Sequence, residues 1–267
     1  MATLPNPLPH LATDPSGRTL GLRLPPGKLV DADWPEPLLW YADQPSSSGN
    51  WTALGAQAGA AGLLPVLVDV DKYWVERQGW ELDPDAASYP GDHDAEEVLA
   101  EYWEMNDETD DEADEDDAAP RTPFPLAPAT TPTADPDTRA AQLADALSEM
   151  NGTGFTEPHL ALVPARRSAD IPAAIGWTGP LNHDNDVARL CAVLRTWEDR
   201  FGARVVAIGF ATLAVSIAAP PATQEEAEAI AAEHYAFCPD TVDQHSGPIE
   251  TYAKTLIGAQ SWHFWWD

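Results

Sequence analysis

An α+β fold, a mixed sheet with helices packed on it, is what this sequence predicts, and three features carry the prediction. Short apolar runs such as LLWYA (38–42), LPVLVDV (64–70), RVVAIGF (204–210) and TLAVSIA (212–218) have strand length and are bounded by turn formers. The stretch 184–201 places Val187, Leu190, Cys191, Leu194, Trp197 and Phe201 at i, i+3, i+4, i+7 spacing, one face of a helix. The C-terminal element order read from such signals is β-β-α-β-β-α-α-β, preceded by a βαβ-like N-terminal segment.

Taken along the chain, the first 36 residues are proline-rich, with TLGLRL (19–24) as one short strand entering a Pro-Pro-Gly turn. LLWYA, an alanine-rich helix over 51–61 and LPVLVDV make a strand–helix–strand unit, which predicts a crossover between parallel strands. A helix is expected over 94–105, with Ala95, Val98, Leu99, Tyr102 and Met105 on one face. The run NDETDDEADEDD (106–117) and the six prolines from Pro120 to Pro136 bury too little apolar surface to offset their ordering entropy. Residues 106–136 are therefore expected as a disordered linker or surface insertion. It would join an N-terminal α/β segment (1–105) to a C-terminal α+β domain (137–267) on which that segment packs.

In the C-terminal part, a short helix over 137–148 stops at Asn151 and Gly152. HLALVPA (159–165) and PAAIGW (172–177) read as two pairing strands, and the 184–201 helix ends at Gly202. Thr223 to Glu226 is a capping box that opens a helix reaching about Phe237, and Pro239 marks its end. A further helix starts near Pro248. SWHFWW (261–266) then alternates, with Trp262, Phe264 and Trp266 on one face and His263 and Trp265 on the other.

Charge narrows the function classes. The 44 acids against 14 Lys and Arg give a net charge of -30, a polyanion that repels nucleic-acid backbones and acidic membrane surfaces. The charge is uneven: no Lys or Arg lies between Arg77 and Arg121, a gap holding 18 acids, whereas 155–267 carries 14 acids and 7 bases. Two cysteines, Cys191 and Cys238, fit a reducing compartment, and no basic leader or long apolar span is present, so the expected location is cytoplasmic.

The blocks VLRTWEDRFGARVVAIG (193–209), Pro220-Pro221, EAIAAEHYAFCPDTVDQ (228–244) and WHFWWD (262–267), in this order and spacing, resemble the bacterial family called domain of unknown function 4253. The resemblance is clearest over about 155–267. It implies a cytoplasmic bacterial protein and supplies no catalytic residues.

The densest polar constellation is His234, Cys238, Asp240, Asp243, Gln244 and His245. His234 and Cys238 are four apart at a helix end, which suits a thiol beside its base, with Asp240 as a further catalytic candidate. Burial on the stripe of Ala227, Ile230 and Ala231 is the favoured reading of both. No paired CxxC or HxxxH ligands, Walker loop or GxSxG elbow occurs, so no metal and no cofactor are expected. The binding candidates are Trp177, Trp265 and His263, as an aromatic surface, with Asp243 and Gln244 beside it. The function this supports is a non-catalytic protein-binding module, immunity-type or regulatory. The alternative is a small hydrolase or transferase using Cys238 with His234 or Asp240.

Overall fold

A computed structural model describes residues 5–32, 34–69, 82–109, 124–149, 154–245 and 248–267. Among these, seven strands form one mixed sheet: β1 (Gly27–Val30), β2 (Leu39–Ala42), β3 (Leu64–Asp69), β4 (Pro158–Val163), β5 (Arg204–Ile208), β6 (Thr212–Ser216) and β7 (Ser261–Trp265). The spatial order is β1-β2-β4-β3-β5-β6-β7, so segments from before and after the acidic run share one sheet. β3 and β5 pair in parallel, and the other neighbours pair antiparallel. β2 and β3 run parallel, as the strand–helix–strand spacing predicts. They are not neighbours, because β4 lies between them and is antiparallel to both. β4 is buried along its whole length, which is why HLALV reads as a continuous apolar run.

Helices cover both faces: α1 (Asn50–Ala60), α2 (Ala95–Thr109), α3 (Pro136–Glu149), α4 (Ile171–Ile175), α5 (Val187–Phe201), α6 (Gln224–Phe237), α7 (Pro239–Asp243) and α8 (Ile249–Leu256). On one face, α2, α5, α6 and α8 bury a core that includes Trp197, Phe201, Phe237, Trp262 and Phe264. On the other, α1, α3 and the N-terminal residues Leu8, Leu11 and Leu22 cover Trp40, Leu67, Leu162 and Val206.

The central helix α5 follows its sequence signals. The Asp186 side chain accepts from the Ala188 amide at 3.0 Å and caps the N-terminus. Gly202, at φ 60°, closes the C-terminus in the left-handed region, and a Cβ there would come within 2.9 Å of the Ala218 Cβ. The capping box of α6 is also formed, with Thr223 Oγ1 accepting from the Glu226 amide at 3.2 Å and the Glu226 carboxylate accepting from the Thr223 amide at 3.2 Å.

Three expectations are corrected. TLGLRL is not a strand: Arg18–Leu20 is a 3-10 turn flanked by Gly17 and Gly21 at φ 71° and 73°, and pairing begins after the prolines, at β1. PAAIGW is not a strand either. Pro172 sits in the first turn of α4 and Gly176, at φ 64°, ends it; an apolar run too short to show a period hid this proline–glycine frame.

The linker expectation over 106–136 changes at both ends. α2 continues through Thr109. Residues 124–135 return as a strap: the Ala127 amide donates to Glu233 Oε1 at 2.7 Å, and Thr133 donates to the Ala218 carbonyl from its amide at 2.8 Å and its hydroxyl at 3.0 Å. Proline-rich composition predicts little apolar burial, but it does not prevent backbone groups from finding partners on a neighbouring helix. The acidic run at 110–123 lies outside the described residues.

Candidate functional site

The sequence-derived site gathers where α6 ends and α7 begins, against the last strand. Cys238 is fully buried at this junction. Its Sγ lies 3.2 Å from Thr241 Oγ1 and donates to the Trp265 carbonyl at 3.1 Å. Desolvation pushes the thiol up to about 12, with the two hydrogen bonds opposing only part of that shift. A nucleophilic thiol needs the opposite, a depressed value and an accessible sulfur.

His234 does not supply the missing base. Its Nδ1 is 2.8 Å from the Tyr252 hydroxyl, and no hydrogen bond joins the ring to Sγ of Cys238. The ring packs between Trp262, Phe264 and Trp197, with centroid distances of 4.5, 4.9 and 5.1 Å. Burial in this aromatic cage lowers its pKa to about 3, so the imidazole is neutral at neutral pH and cannot form an imidazolium–thiolate pair.

We therefore expect Cys238 in the native protein to react slowly with iodoacetamide, at a rate that follows global unfolding in urea. Mass spectrometry of the modified peptide reads this directly. Rapid labelling of the folded chain, slowed by His234→Gln, would restore the nucleophile.

Asp240 has a fastening role. Its Oδ2 accepts from the Asp267 amide at 3.1 Å, while Asn182 Nδ2 donates to the Asp267 carbonyl at 2.7 Å. Thr241 holds the same segment, its hydroxyl accepting from the Trp265 amide at 2.9 Å. α7 is thus a clasp on the end of β7.

Glu233, which the sequence reading did not single out, is the most heavily bonded side chain of α6. It is fully buried. Arg200 meets it with two parallel bonds of 2.7 Å, Trp197 Nε1 donates to it at 2.7 Å, and the Ala127 amide of the strap supplies a fourth bond at 2.7 Å. The signal was present in the spacing: Glu233 lies three residues after Ile230 and directly before His234, on a stripe otherwise apolar. An acid on such a stripe needs a cation, and Arg200 stands one turn from Trp197 on α5.

Of the binding candidates, Trp177 is corrected. It is 1% exposed, its Nε1 donates to the Gly209 and Phe210 carbonyls at 3.0 and 3.2 Å, and its ring packs on Trp266. Trp265 and His263 do face outward, as the alternation of β7 predicts. Trp265 is 41% exposed, and at the same end of the sheet stand Phe210, 52% exposed in the β5–β6 turn, and Leu181, 53% exposed. Backbone links bring their segments to this end: Thr212 pairs with Trp265, the Trp266 amide donates to the Ala211 carbonyl, and Asn182 holds Asp267. Asp243, the last residue of α7, and Gln244, which follows it, are exposed close to the clasp residue Thr241.

A family model described as domain of unknown function (DUF4253) matches residues 159–267, the part of the chain that resembles that family in sequence. No curated protein and no solved structure matches the chain. The stretch that matches this domain family of unknown function holds β5–β7, the Glu233–Arg200 pair, the clasp and the aromatic rim.

Proposed function

We propose that this chain is a non-catalytic protein-binding module, of the immunity or regulatory kind, that docks a basic partner through the rim at the end of β7. The observation that carries the reading is an open aromatic rim beside a closed thiol. Trp265, Phe210 and Leu181 present apolar surface at one end of the sheet, while Cys238 and His234 are buried. Single exposed hydrophobic residues are ordinary on any surface. Three at one end, bordered by Asp240, Asp243 and Asp267, have the make-up of an interface centre with a charged margin.

The net charge of -30 selects the partner's sign, since a cationic protein is drawn in and a nucleic acid is repelled. Among the described residues no helix is long and apolar enough to cross a membrane. A bacterial, cytoplasmic setting belongs to the same proposal, supported by the family resemblance and by two cysteines that remain free.

The test is photo-crosslinking from position 244, an exposed position beside the rim that leaves Trp265 and Phe210 in place, in cells that make the chain naturally. The expected product is an adduct with one basic protein, weakened by added salt and lost in the double variant Trp265→Ala/Phe210→Ala. Cys238→Ala should leave the adduct intact. Loss of the adduct in a folded Cys238→Ala protein, or adducts only from a distant control position such as Tyr89, would refute the proposal.

A further inference from the structure

A second site lies on the other side of the molecule, where α1 and α3 stand apart over the first residues of β3 and β5. The gap is a cleft of about 680 Å³, within the range of small-molecule sites. Its lining includes Trp51, Ala56 and Gly59 from α1, Ala140 from α3, Leu64 and Pro65 from β3, and the three arginines Arg166, Arg167 and Arg204. These are three of the 14 basic residues in a chain with 44 acids.

The three arginines are not equivalent. Arg167 is held by Glu198 and Asp199, and Arg204 Nε donates to Asp137 at 2.9 Å. The acids of the cleft are likewise engaged: the Asp135 carboxylate accepts from the Thr138 amide at 2.9 Å, and Glu198 accepts from the Ala169 amide at 2.9 Å. Arg166 is exposed and, among the described residues, has no hydrogen bond or ion pair.

The walls show a second, independent feature. Two glycines, Gly55 and Gly59, lie within α1, and glycine in a helix costs about 1 kcal/mol relative to alanine. Packing does not explain Gly59: a Cβ built there meets nothing within 4 Å, and its φ is not in the left-handed region. What the missing side chain leaves is open volume in the cleft.

We propose that this cleft binds a small amphiphilic anion, with a carboxylate, phosphate or sulfonate head on Arg166 and an apolar body lying between α1 and α3. The guanidinium offers paired donors to such a head. The small residues Ala56, Gly59 and Ala140 make room for the body against Trp51, Leu64 and Pro65. This site is independent of the β7 rim.

The test uses 8-anilinonaphthalene-1-sulfonate as the probe, titrated by fluorescence into the full-length protein. Saturable one-site binding is expected. Arg166→Ala should weaken it roughly tenfold, the loss of one charge-assisted contact. Gly59→Leu should abolish it while leaving the melting temperature equal or higher, because leucine favours a helix and fills the cleft. Trp265→Ala should bind as the wild type does. Absence of saturable binding, wild-type affinity in both Arg166→Ala and Gly59→Leu, or loss that follows Trp265→Ala instead would overturn the assignment, the last by moving the probe to the rim.

Discussion

Glu233→Ala is expected to lower the unfolding free energy by about 3–5 kcal/mol, the cost of breaking a buried ion pair from one side. The substitution leaves Arg200, whose side chain is only 15% exposed, without its carboxylate. It also leaves Trp197 Nε1 and the Ala127 amide without acceptors. Glu233→Gln keeps the shape and one oxygen but turns an NH2 group toward a set of donors, so it should fall between wild type and alanine. Replacing both partners, Glu233→Leu with Arg200→Leu, removes the stranded charge and should recover a large part of the loss. Urea unfolding of the four proteins measures this series, and a Glu233→Ala midpoint equal to that of wild type would show that the pair contributes nothing. Because the strap is tied to the same carboxylate, the Ala127 amide should also exchange with solvent faster in Glu233→Ala.

That carboxylate also shows where sequence reading stops. The elements with a long period or a stated frame were legible: α5 from its apolar stripe and Gly202, α6 from its capping box, β7 from its alternation. Each of these is fixed by neighbours in sequence. PAAIGW and TLGLRL were misread because five or six apolar residues fit a strand and a helical turn equally, and only the flanking glycine dihedrals decide. The strap at 124–135 was illegible for another reason, since its order comes from Glu233, Ala218 and Ala219, about 85 to 106 residues away. The same holds for the insertion of β4 between β2 and β3, and for the cleft whose arginines come from two different strand ends. The candidate site divides along this line. His234 and Cys238 were correctly placed on one apolar face, yet their partners, Tyr252, Thr241 and Trp265, belong to α8, α7 and β7, and those partners make the pair structural rather than reactive.

His234 makes stability depend on pH in a window its environment defines. The folded imidazole has a pKa lowered from an ordinary 6.5 to about 3 by burial. In the unfolded chain the ring takes a proton below 6.5, whereas in the folded protein it stays neutral until about 3. The unfolded state therefore binds more protons across this interval, and stability falls as pH drops through it and is flat above it. Between pH 7 and pH 5 the loss due to this one ring should be about 2 kcal/mol. Other groups titrate in the same interval, so the informative quantity is the difference between wild type and His234→Gln. The glutamine retains a polar partner for the Tyr252 hydroxyl and has no proton to gain. Urea midpoints at pH 7 and pH 5 should show wild type losing about 2 kcal/mol more than the variant. The lower limit of pH 5 keeps both proteins clear of the isoelectric point near 4.2. Parallel losses in the two proteins would mean that the ring reaches solvent, and that the cage of Trp197, Trp262 and Phe264 opens in the native state.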